Sequence, residues 1–284
     1  MPEESNRCEW ITLRQALAGF VAGARTTQSG LHIKPLHWHV ACRLVVEGGF
    51  RPEEVTPRPP LLARRSGAAW VLEFDASKAE GGESIILGGL KTKQVDVAVV
   101  KDGVGPVIAV SIKGTLKAFR NLTNRMEEAV GDCTNLHIAY PGLVYGFLHV
   151  LKAARQGGKV GVADAALSRN GKATDAIRRY HDVLERLAGR QDLREEPSRY
   201  EAVALALVKP GPQSAGAILP GFPLPDSTLS LSRFFDTLYT QYDKRFVYAA
   251  PQLESRTARI TWNPRSPALR DPRGRDCDAR VNGS

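Results

Sequence analysis

The stretch Gln94-Val-Asp-Val-Ala-Val-Val-Lys-Asp-Gly-Val-Gly-Pro-Val-Ile-Ala-Val-Ser-Ile-Lys113 decides the fold. Two β-rich runs, 94–100 and 107–113, flank Asp102-Gly-Val-Gly-Pro106, a turn signal that predicts a hairpin. Side chains alternate between the faces of a strand. Val95, Val97 and Val99 therefore share one face of the first run, and Ile108, Val110 and Ile112 share one face of the second. With the turn centred on Gly103-Val104, Val97 stands opposite Val110 and Asp96 opposite Ser111. The β-branched sets form a buried face. The other face carries Asp96, Ser111 and Lys113, separated only by the small Ala98 and Ala109.

Outward from this hairpin the chain alternates helical and strand patterns. Upstream, helical spacing predicts helices over 11–24 and 35–47, the second opened by Pro35 and stopped by Gly48-Gly49. Residues 51–68 read as loop, and 69–74 and 83–87 as short strands. Downstream we expect a helix over 115–130, a strand over 135–140, a helix from Pro141-Gly142 to about residue 154, and a helix over 173–188. A strand buried on both sides is expected over 202–208, a Pro- and Gly-rich loop over 209–227, and a helix over 229–248. The class is α/β, one domain over 1–253 with a core at about 35–140. From 254 the chain is rich in Arg and Pro and reads as a weakly ordered basic tail, 254–284.

Composition narrows the function. Of 284 residues 43% are hydrophobic and 24% charged, which excludes wholesale disorder, collagen and coiled coil. A formal charge of +9 makes a polyanion a fitting partner. No apolar run approaches the ~20 residues that cross a bilayer, and the acidic start Met1-Pro-Glu-Glu is unlike a signal peptide. Cys8, Cys42, Cys133 and Cys277 form no CxxC pair, as expected of reduced thiols in a cytoplasmic protein.

An acid, a hydroxyl and an ammonium on a patch cleared of bulk suit metal-assisted phosphodiester hydrolysis. A carboxylate holds Mg²⁺, and a neighbouring Lys stabilises charge or orients water. Further acids come from helices. With Leu116, Phe119, Thr123, Met126 and Val130 as an inward stripe, Glu127 falls on its flank and Glu128 points to solvent. Glu47 interrupts the stripe of Leu36, Val40 and Leu44, as a satisfied structural group or as a ligand. Lys117, Arg120, Asn121, Asn124 and Arg125 are placed to contact DNA from the helix beside the site. His37 and His39, with His32 near, lack the i, i+4 spacing of helical zinc ligands and read as structural groups or phosphate contacts. Cys133 and His137 lack an orienting third group for nucleophilic catalysis.

Over roughly 35–140, Val95-Asp96-Val97-Ala98 followed by Val110-Ser111-Ile112-Lys113 resembles the PD-(D/E)xK restriction endonucleases. It is most similar to the permuted branch, whose acid has moved from the strand to the next helix and whose members cut sites containing CCGG. Here Ser111 fills the vacated acidic slot, and Glu127 follows Lys113 by fourteen residues. Where the branch has an Arg-Ser-Asp-Arg base-reading element, this chain has Lys117-Ala-Phe-Arg120, which lacks the Asp and keeps only the last Arg. The resemblance implies a restriction-endonuclease-like mixed central sheet flanked by helices. It further implies an Mg²⁺-dependent type II cut in double-stranded DNA by a homodimer, with Asp96, Glu127 and, as an additional acid, Glu47 on the metal. The competing expectations are a nuclease of repair or of a mobile element without sequence preference, and a DNA-binding module that keeps the fold without catalysis.

Overall fold

The structure is a computed structural model that describes residues 7–23, 30–117, 119, 122–158 and 160–277. Helix α1 (Leu13–Ala22) opens on a capping box: the Thr12 hydroxyl accepts from the Gln15 N–H at 3.2 Å, and the Gln15 side chain accepts from the Thr12 N–H at 2.9 Å. Helix α2 (Lys34–Val46) begins at Pro35, whose missing N–H costs nothing in a first turn. Strand β1 (Val55–Thr56) is followed by the hairpin β2 (Leu61–Ser66) and β3 (Ala69–Phe74), then by the hairpin β4 (Ser84–Leu87) and β5 (Thr92–Val95). The decisive stretch forms β6 (Val97–Lys101) and β7 (Gly105–Thr115). After them come α3 (Leu122–Ala139), β8 (Val144–Lys152), α4 (Asp175–Leu187), β9 (Ala202–Val208) and α5 (Leu231–Tyr242). A π turn over Asp243–Tyr248 extends α5.

The main sheet has the order β1-β6-β7-β8-β9. Its β1, β6 and β7 pair antiparallel, and β7, β8 and β9 pair parallel, so it is a mixed sheet flanked by helices, as expected. Val97 pairs with Val110 and Val99 with Ile108, the register that alternation implies. These residues join α1, α2 and α5 in one apolar cluster, whereas Ala98, Ala109, Tyr145 and Phe147 join α3 and α4 in another. β9 is buried on both sides, with alternate residues in the two clusters. All four cysteines are buried free thiols. No helix among the described residues is long and apolar enough to cross a membrane.

Five segments differ from expectation. The run 94–100, expected as one strand with Val95, Val97 and Val99 on one face, breaks at Asp96: β5 pairs with β4 in a separate sheet, and Val95 joins the cluster of Ala98 while Val97 and Val99 stay in the other. The span 51–68, read as loop, contains β1 and β2, because Arg64 and Arg65 on an exposed strand end mask the alternation. The helix expected over 115–130 starts only at Leu122, since β7 runs to Thr115. It then continues through 135–139, where a strand was expected, because Leu122, Met126, Ala129, Cys133 and Leu136 keep one helical stripe. The expected helix after Pro141-Gly142 is β8, whose apolar residues face both layers and so carry no period of two. Finally, residues 254–277, expected as a weakly ordered tail, pack on the body. Trp262 is buried and its Nε1 donates to the Val45 carbonyl at 2.7 Å. Leu72 N–H donates to Ser266 at 3.1 Å, and Leu13 N–H to Asp276 at 2.6 Å. The arginines that made this stretch look like a tail are paired in part with acids, Arg259 with Asp243 and Arg273 with Asp271.

Candidate active site

Asp96 lies at the bend between β5 and β6, at the end of the small-residue face. Its two carboxylate oxygens have different surroundings. Oδ2 accepts from the Ile112 N–H at 2.6 Å, lies 3.5 Å from the Ser111 hydroxyl and 3.9 Å from Lys113 Nζ. Oδ1 faces His37 Nε2, also at 3.9 Å, which is beyond hydrogen-bond reach. The backbone amide therefore fixes the carboxylate, and one oxygen remains presented to α2. Ser111 is buried, while the Asp96 and Lys113 side chains keep 15% and 25% exposure, enough to meet a ligand at the surface.

His37, Glu83 and Asp96 bring one donor atom each to within 4.8 Å of one another. Glu83 immediately precedes β4 and is half-buried. A cavity of about 160 Å³ opens beside them, lined by Lys34, His37, Trp38, Glu83 and Gln94 among others. His37 Nε2 is buried without a hydrogen-bond partner. Burial pushes this imidazole down to about 4 against the upward pull of the Asp96 carboxylate, with Lys113 and Lys34 pushing it further down. Two carboxylate oxygens and a neutral imidazole nitrogen fit a divalent cation, since the oxygens suit Mg²⁺ and the nitrogen suits a transition ion.

The residues expected on α3 separate. On the observed stripe the wheel is turned by most of a quadrant, because residues 116 and 117 do not belong to the helix. Both acids are exposed: Glu128 shares a flank with Arg125 and Asp132, and Glu127 lies on the other side. Partial burial raises the Glu128 carboxyl, but the hydrogen bond from Arg125 and the charges of Lys113, Arg125 and Lys93 outweigh it, so it sits below the usual range. Lys93 of β5 is paired with Asp132 on the same flank. We expect Glu128→Ala to slow any cleavage at this site at least about tenfold, and Glu127→Ala to change it less than about twofold. Single-turnover rates on one DNA substrate check this; the opposite ranking would restore Glu127.

Glu47 is not brought to this group. It receives Arg43 Nε at 2.5 Å on the same helix and the Tyr239 hydroxyl at 3.4 Å, so the structural alternative describes it and the ligand expectation does not. Lys117, Asn124 and Arg125 are exposed, although Arg125 is paired with Glu128 at 2.8 Å. Arg120 and Asn121 lie outside the described residues.

Two other clusters are structural. His149, beside Lys113 in the sheet, is held by Thr115 Oγ1 at 2.9 Å and by the Tyr180 hydroxyl, and burial pushes it to about 3. Cys133 Sγ lies 3.5 Å from His137 Nδ1, and His137 Nε2 lies 3.4 Å from Glu201. The third group that the sequence did not offer is thus present. All three are buried, however, and burial with the nearby Glu201 charge pushes the thiol far up, so no substrate meets a thiolate there.

The sequence reading missed the grouping of His37 and Glu83 with Asp96. His37 and Glu83 are 46 residues apart and meet only through the packing of α2 against the β4–β6 region, so no spacing signal could pair them. No protein-family model matches the chain, and neither a curated protein nor a solved structure is detectably similar to it.

Proposed function

We propose that this chain is a divalent-metal-dependent deoxyribonuclease of the type II restriction kind, hydrolysing phosphodiester bonds of double-stranded DNA at a short sequence. The observation that carries the proposal is the meeting of Asp96 and Lys113 at the end of one sheet face, with Asp96 anchored by the Ile112 amide and offering its second oxygen to His37 and Glu83. The charge of +9 supports a polyanionic substrate.

In this reading Asp96 would hold the divalent cation, with Mg²⁺ the ion supplied for cleavage. The bound ion supplies Lewis acidity toward the phosphate and a more acidic water. Lys113 would orient the attacking water and balance charge developing on the phosphoryl oxygens. Ser111 stands where the pattern of the resembled family carries a carboxylate, and its neutral hydroxyl leaves the missing charge to an acid of α3, for which Glu128, on the flank of Arg125 and Asp132, is better placed than Glu127. Lys117, Asn124 and Arg125 then face the duplex beside the scissile bond. Cutting both strands of a palindrome calls for a homodimer with one site per strand.

Incubation of supercoiled plasmid with the protein and Mg²⁺ tests this directly. Discrete fragments that vanish with EDTA are expected. A smear would identify a nuclease without sequence preference, and DNA retarded in a gel but never cut would identify a binding module that keeps the fold.

A further inference from the structure

The geometry points to a mixed imidazole–carboxylate site, His37–Glu83–Asp96, that takes a first-row divalent transition cation in preference to Mg²⁺. This inference rests on the reading of Asp96 as a metal ligand and adds the ligands and the class of ion.

Three observations carry it. The donor atoms of the three side chains lie within 4.8 Å of one another, and the His37 Nε2–Asp96 Oδ1 separation is 3.9 Å. Donors that sit ~2.0–2.2 Å from a shared ion are between ~3 and ~4.4 Å apart, so the pair already spans an ion's width and the set closes with small rotamer shifts. His37 Nε2 is buried without a partner, although a buried nitrogen is normally hydrogen-bonded. It is aimed at an oxygen too distant to bond yet well placed to share a cation. Asp96 is held by the Ile112 N–H through the other oxygen, so Oδ1 is presented in a fixed direction. Such support of a ligand from outside the metal shell is typical of built sites.

The ligand chemistry selects the ion. Mg²⁺ takes oxygen ligands and keeps much of its water, whereas imidazole nitrogen favours later divalent ions in the order Mn²⁺ < Fe²⁺ < Co²⁺. His37 therefore contributes little to Mg²⁺ and much to Co²⁺.

The test is calorimetric titration of the full chain, without DNA, with Co²⁺ and separately with Mg²⁺. For His37→Asn we expect Co²⁺ affinity to fall by roughly tenfold or more, the loss usual when even an outer-shell partner is removed, with Mg²⁺ affinity nearly unchanged. Glu83→Gln should weaken both ions. In the wild-type protein, Co²⁺ should shift the NMR signals of the His37 ring, a readout that needs no variant to fold. Failure of Co²⁺ to bind, an unshifted His37 ring with Co²⁺ bound, or equal losses for both ions in His37→Asn would overturn the inference. Cobalt held through His37 by a protein that cuts no DNA would sink the nuclease reading and leave this site standing. A Mg²⁺-dependent nuclease indifferent to His37 and Glu83 would do the reverse.

Discussion

Asp96→Asn is expected to reduce plasmid cleavage by a thousandfold or more, about 4 kcal/mol of transition-state stabilisation, while the protein stays folded and keeps its affinity for DNA. The substitution is chosen for its shape. The carboxamide oxygen can still accept from the Ile112 N–H, now bonded to Oδ2 at 2.6 Å, so the bend between β5 and β6 keeps its tether. What is lost is the charge. With the single oxygen kept on the Ile112 N–H, the atom facing His37 and Glu83 becomes an amide nitrogen, which does not bind a cation, and Lys113 Nζ, 3.9 Å away, loses its ionic neighbour. Removing one negative charge from a surface meant for phosphates should, if anything, tighten DNA binding. Single-turnover cleavage, fluorescence anisotropy on a duplex and a thermal melt together read the three consequences. A variant that cuts within tenfold of wild type would remove Asp96 from the chemistry and with it the proposed function.

The second large effect concerns stability. Glu201, the residue before β9, is fully buried and accepts from Arg190 at 2.8 Å, Arg245 at 2.7 Å and the Tyr145 N–H at 2.7 Å. It thereby ties the start of β8 to the segment before β9 and to the extension of α5. Glu201→Ala leaves two buried guanidinium groups facing each other, and the cost expected for such an uncompensated pair is about 4 kcal/mol. Urea unfolding at neutral pH, followed by tryptophan fluorescence, measures it; a loss under ~1 kcal/mol would show that the arginines find other partners. The pH dependence has a definite sign. Burial raises the Glu201 carboxyl, but the bond and charge of His137, the Arg245 charge and the Tyr145 N–H outweigh it, so its folded value lies below the ordinary 4.5. A depressed carboxyl contributes stability that is complete above the unfolded value and is lost as pH falls below about 4.5 toward the folded one. The wild-type advantage over Glu201→Ala should therefore shrink on acidification.

The legible parts of the protein are those set by near neighbours. The β6–β7 hairpin, its pairing of Val97 with Val110 and Val99 with Ile108, and the nearness of Asp96 to Ser111 and Lys113 follow from a period of two and a turn rich in glycine, although the strand itself breaks at Asp96. The limits of α2 follow from Pro35 and the glycines after Val46, whereas α1, expected over 11–24, is shortened at its start by the Thr12 capping box. Each is a preference of local backbone geometry, which no distant contact reverses here.

The rest was decided by packing. Whether Glu127 or Glu128 lies on the flank of Arg125 and Asp132 depends on which residues form the inward stripe of α3. That depends in turn on β7 continuing to Thr115 in its parallel pairing with β8, a strand whose two-sided burial erases its own periodicity. A helix turns about 100° per residue, so a stripe drawn through residues 116 and 119, which lie before α3, points to a different face from the stripe that packs. The basic stretch after residue 254 is held by single anchors, Trp262 on α2 and Asp276 at the start of α1, too widely spaced to register in composition. The meeting of His37 with Glu83 and Asp96 is the clearest case. Alternation and helical phase say which way a side chain points, but which remote side chain it meets is set by the order in which strands and helices stack, and that order is a property of the whole buried core.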